Sequence, residues 1–307
     1  MEYAELGRSG IRISRVGLGT WQIGSPYWGW GREFNREQAL RVIEAALDAG
    51  INLVDTAEVY GGGLSERIVG EAVRDRREEV VIATKAWPTH LTGGRLRRAL
   101  EGSLRRLGVR YVDLYQVHWP NPLVPLRETM RAMEDLLGEG LIRAIGVSNF
   151  SLRRLEEARS LLSRADVASN QVEYSMLKRG PERDLIPYCE REGVTLIAYS
   201  PLAQGLLTGR YGPGRMPRGV QRRLLTLFNY GPVGRRLSRL IPVLEEVARE
   251  RGASVAQVAI AWVLRRPPVV AVPGAKREEH ARSNAAAADI RLSEGELARI
   301  EEALTSG

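Results

Sequence analysis

The sequence predicts an α/β fold: a (β/α)8 TIM barrel with an N-terminal β-hairpin and a long loop between strands seven and eight. Three observations point there. Eight short runs rich in β-branched residues alternate with amphipathic helical patterns. The first seven runs begin roughly every 25–35 residues, the length of one βα unit. The chain of 307 residues exceeds the usual barrel length of about 250 by an amount the hairpin and the loop absorb.

Taken in order, residues 2–14 (EYAELGRSGIRIS) read as a hairpin turned at Ser9-Gly10 that plugs the bottom of the barrel. The strands are expected at 15–21, 51–57, 80–85, 112–118, 142–149, 167–173, 194–200 and 269–274. Between them, Ala39, Val42, Ile43, Ala46 and Leu47 recur at helical spacing, as do Leu96, Leu100, Leu104 and Leu107. Ser151 and Ser293 stand as N-caps. Residues 201–268 are too many for one standard unit. Their first part, 206–236, is rich in Gly, Pro and Arg and reads as a mobile loop. No stretch has linker composition, so residues 1–307 are expected to form one barrel domain. A doubly wound sheet is the rival, but it normally brings a GxGxxG turn after its first strand, and GLGTWQIG has the wrong glycine spacing.

Composition narrows the function. Hydrophobic content of 44% and charged content of 27% are those of a soluble globular chain. No apolar run reaches the length of a membrane span, and the N-terminus has no signal-like apolar core. The lone cysteine, Cys189, excludes an internal disulfide and fits a reducing, cytoplasmic setting. The net charge of +8 arises mostly from Arg and Glu interspersed along helix faces, which argues against a nucleic-acid partner. The Arg-rich stretch 206–239 is the exception, read either as a loop closing over a bound phosphate or as a solvated loop. Of 45 basic residues only Lys85, Lys178 and Lys276 are lysine, and there are only seven Asn and seven Gln. That bias fits a thermophile or a GC-rich genome equally.

An active site in such a barrel lies at the C-terminal strand ends. Those ends carry Gly19, Thr20 and Trp21; Asp55 with Tyr60 five residues on; Lys85; His118; Ser148 and Asn149; Asn170 and Gln171; Tyr199 and Ser200; and Gly274, Ala275 and Lys276. A strand-end Asp often caps a turn, and a single strand His is ordinarily a core residue. Lys85 is different, because an ammonium ending an apolar run is costly unless paired. Asp, Tyr, Lys and His on one rim suit proton transfer to a carbonyl oxygen. A phenol of pKa about 10 needs a neighbouring ammonium to lower it, and a carboxylate keeps that ammonium charged. Trp21, Trp28, Trp30, Trp87 and Trp119, five of the six tryptophans, lie near the same rim and suggest an aromatic-walled pocket. Such walls favour apolar or aromatic carbonyl compounds.

The motifs DTAEVYGGGLSERIVGEAV, VVIATKAW, LYQVHWP, IGVSNF, YSPLAQGLLTG and VPGAK occur in one order, and through them the chain resembles the aldo-keto reductase superfamily over residues 6–304. The resemblance implies NADPH-dependent carbonyl reduction, with NADH as a weaker cofactor and no metal. It implies Tyr60 as general acid, Lys85 lowering its pKa, Asp55 paired with Lys85, and His118 orienting the carbonyl. It places Tyr199 against the nicotinamide, Ser148, Asn149 and Gln171 on its carboxamide, and Gly19, Thr20 and Trp21 along the ribose and ring. Ser200, Pro201, Leu202 and Gly205 would follow the pyrophosphate; Lys276 would meet the 2′-phosphate and Asn284 the adenine, with Gly274, Ala275 and His280 also binding the cofactor. At position 280 relatives often carry Arg or Gln. Trp21, Trp28, Trp87 and Trp119 would wall the substrate. The expected partner is a small carbonyl compound, with neither nucleic acid nor membrane, and the chain a monomer or weak oligomer. Two other readings stay open: a Schiff-base lyase using Lys85, and a nucleotide-sensing regulatory barrel with little turnover.

Overall fold

In the computed structural model of the protein, which describes residues 1–211, 227 and 233–305, all eight expected runs pair in parallel with their sequence neighbours. The strands are β3 (Leu18–Gly19), β4 (Leu53–Asp55), β5 (Val81–Ala86), β6 (Val112–Val117), β7 (Ile142–Ser148), β8 (Val167–Glu173), β9 (Thr195–Tyr199) and β10 (Val269–Val272). The barrel closes between its first and last strands: Gly17 N donates to Ala271 O at 2.8 Å, Ala271 N to Arg15 O at 3.0 Å, and Gly19 N to Pro273 O at 3.1 Å. Strand one is shorter than its apolar run suggests. Its closing contacts to β10 are isolated bridges at Val16 and Gly19 rather than a continuous ladder. Gly19 is required there, since an added Cβ would sit 2.8 Å from Val272 O.

The hairpin pairs β1 (Tyr3–Glu5) with β2 (Arg12–Ser14) in antiparallel register. Its turn spans 6–11, held by Leu6 N donating to Ile11 O at 2.8 Å, and wider than a turn at Ser9-Gly10 alone. Leu6, Ile11 and Ile13 enter the barrel and pack with Leu53, Val81, Ala83, Leu114, Ala144 and Ile197. They plug its lower end. Burying these apolar side chains contributes roughly 1.5–3 kcal/mol each.

Outside the strands lie α1 (Arg36–Asp48), α2 (Leu64–Ala72), α3 (Gly93–Leu107), α4 (Leu126–Gly138), α5 (Leu152–Ser160), α6 (Leu185–Glu192), α7 (Gly234–Glu250), α8 (Val255–Val263), α9 (Glu278–Ala286) and α10 (Glu294–Thr305). The expected apolar faces are the buried ones: Ala39, Val42, Ile43, Ala46 and Leu47 of α1, and Leu96, Leu100 and Leu107 of α3. Ser151 accepts from Arg154 N and caps α5. Ser293 accepts from Glu296 N at 3.3 Å while the Glu296 carboxylate accepts from Ser293 N at 2.6 Å, a reciprocal box that starts α10. The Arg-rich stretch 206–239 lies largely outside the described residues; its end, from Gly234, begins α7 instead of continuing a loop. Among the described residues no helix is long and apolar enough to cross a membrane.

Gly7 ties the plug to the barrel. Its φ is +59°, its N–H donates to Thr195 Oγ1 at 2.8 Å, and an added Cβ would lie 2.5 Å from Ala168 O. Gly7→Ala is expected to cost at least about 2 kcal/mol, from left-handed strain plus a backbone clash. Urea unfolding of the two proteins checks this.

Candidate active site

The inward faces of the strands explain why polar residues converge at one end. Side chains alternate across a strand, so the residues two and four positions beyond an inward apolar residue also point inward. Leu53 leads to Asp55, Val81 and Ala83 lead to Lys85, Leu114 leads to Gln116 and then His118, and Ile197 leads to Tyr199. The barrel interior is apolar below and carries charge at the top layer.

There the Lys85 ammonium is buried, 1% exposed, and donates to three oxygens: Asp55 Oδ2 at 2.7 Å, Thr56 O at 2.8 Å and Tyr60 OH at 3.4 Å. Three donors on one compact nitrogen meet three acceptors, a match that a planar guanidinium does not make. The other Asp55 oxygen, Oδ1, accepts from Gln171 Nε2 at 2.8 Å and Gln116 Nε2 at 3.3 Å. Burial works against the ammonium, but the Asp55 carboxylate and Tyr60 more than offset it and hold Lys85 above the ordinary lysine value.

Tyr60 begins a tight turn, Tyr60–Gly63, in which Gly61 and Gly62 have φ of 57° and 64°. A Cβ on Gly61 would lie 2.7 Å from Gly24 Cα, so the loop after β3 packs directly on this turn. Burial pushes the Tyr60 phenol up, and the Lys85 ammonium pulls it back only in part. The expected lowering by lysine is present as an influence, but the net direction is upward because burial is the larger effect. His118 faces Tyr60 with ring centroids 5.8 Å apart and Trp87 with centroids 5.3 Å apart. Burial, aided by the Lys85 charge, pushes His118 down to about 3, and its buried Nδ1 has no hydrogen-bond partner among the described residues. The imidazole is neutral at working pH.

These groups floor a cleft of about 1570 Å³. Asp55, Tyr60 and His118 reach it, whereas Lys85 lies beneath. Gly19, Thr20, Trp21, Ser148, Asn149, Gln171 and Tyr199 line it. So do Ser200, Pro201, Leu202 and Gly205, and Gly274, Lys276, His280 and Asn284, while Ala275 is buried and does not reach it. Asn170 turns away, donating to Phe150 O at 3.0 Å. Trp21, Trp28, Trp87 and Trp119 form walls, with Trp21 and Trp28 edge to face at 5.4 Å. Trp30 does not join them; it packs edge to face on Phe34. Asn149 and Ser200 hold φ of 61° and 52°, strain concentrated where two strands end in the cleft. Asn149 is fully engaged by the protein: Oδ1 accepts from Tyr199 OH at 3.0 Å, and Nδ2 donates to Ser148 Oγ and His118 O.

Several residues of the site escaped the sequence. Gln116 could have been found as the inward position between Leu114 and His118. Glu58 had no such signal: it accepts from Trp87 N at 2.5 Å and meets His90 Nδ1 at 2.9 Å, fixing the loop that carries Trp87. Glu33 reaches Lys276 at 3.5 Å, and Glu33, Arg210 and Arg277 also line the cleft. Among the described residues no cluster of ligands suits a metal ion.

A family model described as "Aldo/keto reductase family" matches residues 15–305. An oxidoreductase of Mycobacterium tuberculosis, described as uncharacterized, is 45% identical over 99% of this chain and 92% of its own length. The crystal structure of a thermostable aldo-keto reductase in complex with the inhibitor epalrestat is 42% identical, with a TM-score of 0.80 over 99% of this chain and 100% of that one. That of an aldo/keto reductase from Klebsiella pneumoniae in complex with NADP and acetate is 37% identical, with a TM-score of 0.76 over 95% and 91%.

The neutral His118 has a consequence for stability. In the unfolded chain a histidine titrates near 6.5, so between that pH and about 3 the unfolded state binds the extra proton and the native state does not. Stability therefore falls as pH falls through this window, by about 2 kcal/mol between pH 7 and pH 5. Urea unfolding at both pH values should show this loss, and His118→Gln should reduce it by a similar amount.

Proposed function

The chain belongs to the aldo/keto reductase family, and from that premise we propose that it reduces aldehydes or ketones to alcohols with NADPH. The carrying observation is the buried contact of Lys85 with both Asp55 and Tyr60, beside a neutral His118. When bound, the reduced nicotinamide supplies a hydride. The protein supplies the proton. Tyr60, whose burial keeps it protonated, donates from its hydroxyl to the carbonyl oxygen as negative charge develops there. The ammonium of Lys85 stabilises the phenolate left behind, and Asp55 keeps Lys85 charged and placed. Neutral His118 holds the carbonyl oxygen by a hydrogen bond without competing for the proton. Proton donation of this kind typically contributes about 10²–10⁴-fold to rate.

The cleft fits a dinucleotide phosphate in chemistry as well as size. Among the described residues Gln171 Oε1 accepts no hydrogen bond, and it is left for a carboxamide N–H. Ser148 and Asn149 would border that carboxamide, Tyr199 would lie against the ring, and Gly19, Thr20 and Trp21 would run along the ribose. Ser200, Pro201, Leu202 and Gly205 would follow the pyrophosphate. Lys276, beside Gly274 and Ala275, would face the 2′-phosphate with Arg277 and His280 close by, and Asn284 would meet the adenine; the charges of Lys276 and Arg277 favour NADPH over NADH. Trp21, Trp28, Trp87 and Trp119 favour carbonyl compounds with an apolar or aromatic group. A Schiff-base role for Lys85 would require a neutral, accessible amine, and this ammonium is buried, triply bonded and held charged.

Tyr60→Phe is expected to reduce turnover of an aromatic aldehyde by at least about 10²-fold while NADPH binding, followed by tryptophan quenching, changes little. Undiminished turnover would refute Tyr60 as the proton donor.

A further inference from the structure

Gln116 lies on β6 and does not line the cleft, yet it reaches across the barrel interior to two residues that do. Its Nε2 donates to Asp55 Oδ1 at 3.3 Å, and its Oε1 accepts from Gln171 Nε2 at 3.3 Å. Gln171 is on β8, so β7 stands between the two strands. Gly146 of β7 opens the path: a Cβ there would lie 2.8 Å from Gln116 Cγ and 2.7 Å from Ser169 Oγ. Gln116 is 0% exposed, Gln171 2% and Asp55 4%. A polar triangle therefore forms at the floor of the cleft, with the Asp55 carboxylate as its charged vertex.

The charge dictates how both amides face. Asp55 Oδ1 accepts two N–H groups, one from each glutamine. Turning the Gln171 amide over would set its oxygen against the carboxylate and against Gln116 Oε1, two contacts of acceptor on acceptor with no hydrogen between them. Both hydrogens of Gln171 Nε2 are thus spent downward, on Asp55 and Gln116. The carbonyl oxygen is the part left for the cleft. Asp55 alone would leave the amide one anchor and freedom to rotate about it; Gln116 is the second anchor.

We propose that Gln116 is a positioning residue for the cofactor: it locks the Gln171 amide so that its oxygen, not its nitrogen, is presented to the nicotinamide substituent. This rests on the reading of Gln171 as the carboxamide contact. The lock selects a substituent bearing an N–H donor, and it disfavours one that offers only a methyl group and an acceptor.

The experiment compares NADP⁺ with 3-acetylpyridine adenine dinucleotide phosphate, in which a methyl ketone replaces the carboxamide, by calorimetric binding to the full chain. The native protein should favour NADP⁺ by about 10-fold or more, the value of one buried hydrogen bond. In Gln116→Met, of similar volume, that preference should drop to within about 3-fold, chiefly through weaker NADP⁺ binding. A purely structural loss would weaken both ligands alike and leave the ratio unchanged, and that result overturns the inference. Gln116→Glu is the second variant and stands in should the methionine variant not fold. Next to Asp55 it holds a proton, so its hydroxyl donates to Asp55 and its carbonyl accepts from Gln171. It should keep the preference, and losing it would equally overturn the inference. No preference in the native protein would overturn the carboxamide assignment of Gln171 and this inference with it, whereas a native preference that survives in Gln116→Met overturns this inference alone.

Discussion

The ion pair between Lys85 and Asp55, 2.7 Å long and buried at the floor of the cleft, is the constraint around which the rest of this site is arranged. A buried ammonium loses its hydration at a cost of several kcal/mol, and attraction to one carboxylate offsets this only when the remaining hydrogen-bonding positions are filled. Here they are filled. Thr56 O and Tyr60 OH complete the ammonium, and Gln116 and Gln171 complete the carboxylate. These partners come from three parts of the chain, residues 56–60, 116 and 171, so the pair fixes the relative placement of β4, β5, β6 and β8 at the top of the barrel. The apolar plug of Leu6, Ile11 and Ile13 at the other end allows the polar layer to sit in an otherwise dry interior.

That dry interior pushes the two other titratable groups in opposite senses. Burial moves Tyr60 up and His118 down, so the phenol keeps its proton and the imidazole lacks its second one. One environment thereby separates a proton donor from a neutral hydrogen-bonding group, a pattern by which acid and base assignments are recognised. The Lys85 charge acts on both in the same direction, favouring phenolate and disfavouring imidazolium. The lysine is what makes loss of the Tyr60 proton affordable at the moment of reaction.

Much of this was legible in the sequence. β-Branched runs alternating with helical patterns placed all eight strands, because burial on both faces of a parallel sheet leaves that mark locally. The scarcity of lysine singled out Lys85, and Ser151 and Ser293 announced their helices. What stayed hidden depends on contacts across the barrel. Gln116 looks like any polar residue in a strand until the inward face of β6 is known, and Gly146 reveals its purpose only when a side chain from the neighbouring strand passes over it. Trp30, five residues from Asn35, packs on Phe34 instead of the cleft, a choice made by the fold of its loop. The turn at Gly61 needs the long-range approach of Gly24, which no local pattern encodes.

The Lys85 ammonium, held by Asp55, eases proton loss from Tyr60. The most direct test is the pH dependence of kcat/KM for an aromatic aldehyde, compared between the native protein and Lys85→Met. With the ammonium removed, the apparent pKa assigned to Tyr60 should move upward by at least about one unit, since an opposite charge at this range accounts for a shift of 1–3 units. An apparent pKa that stays in place, or moves down, would contradict the claim.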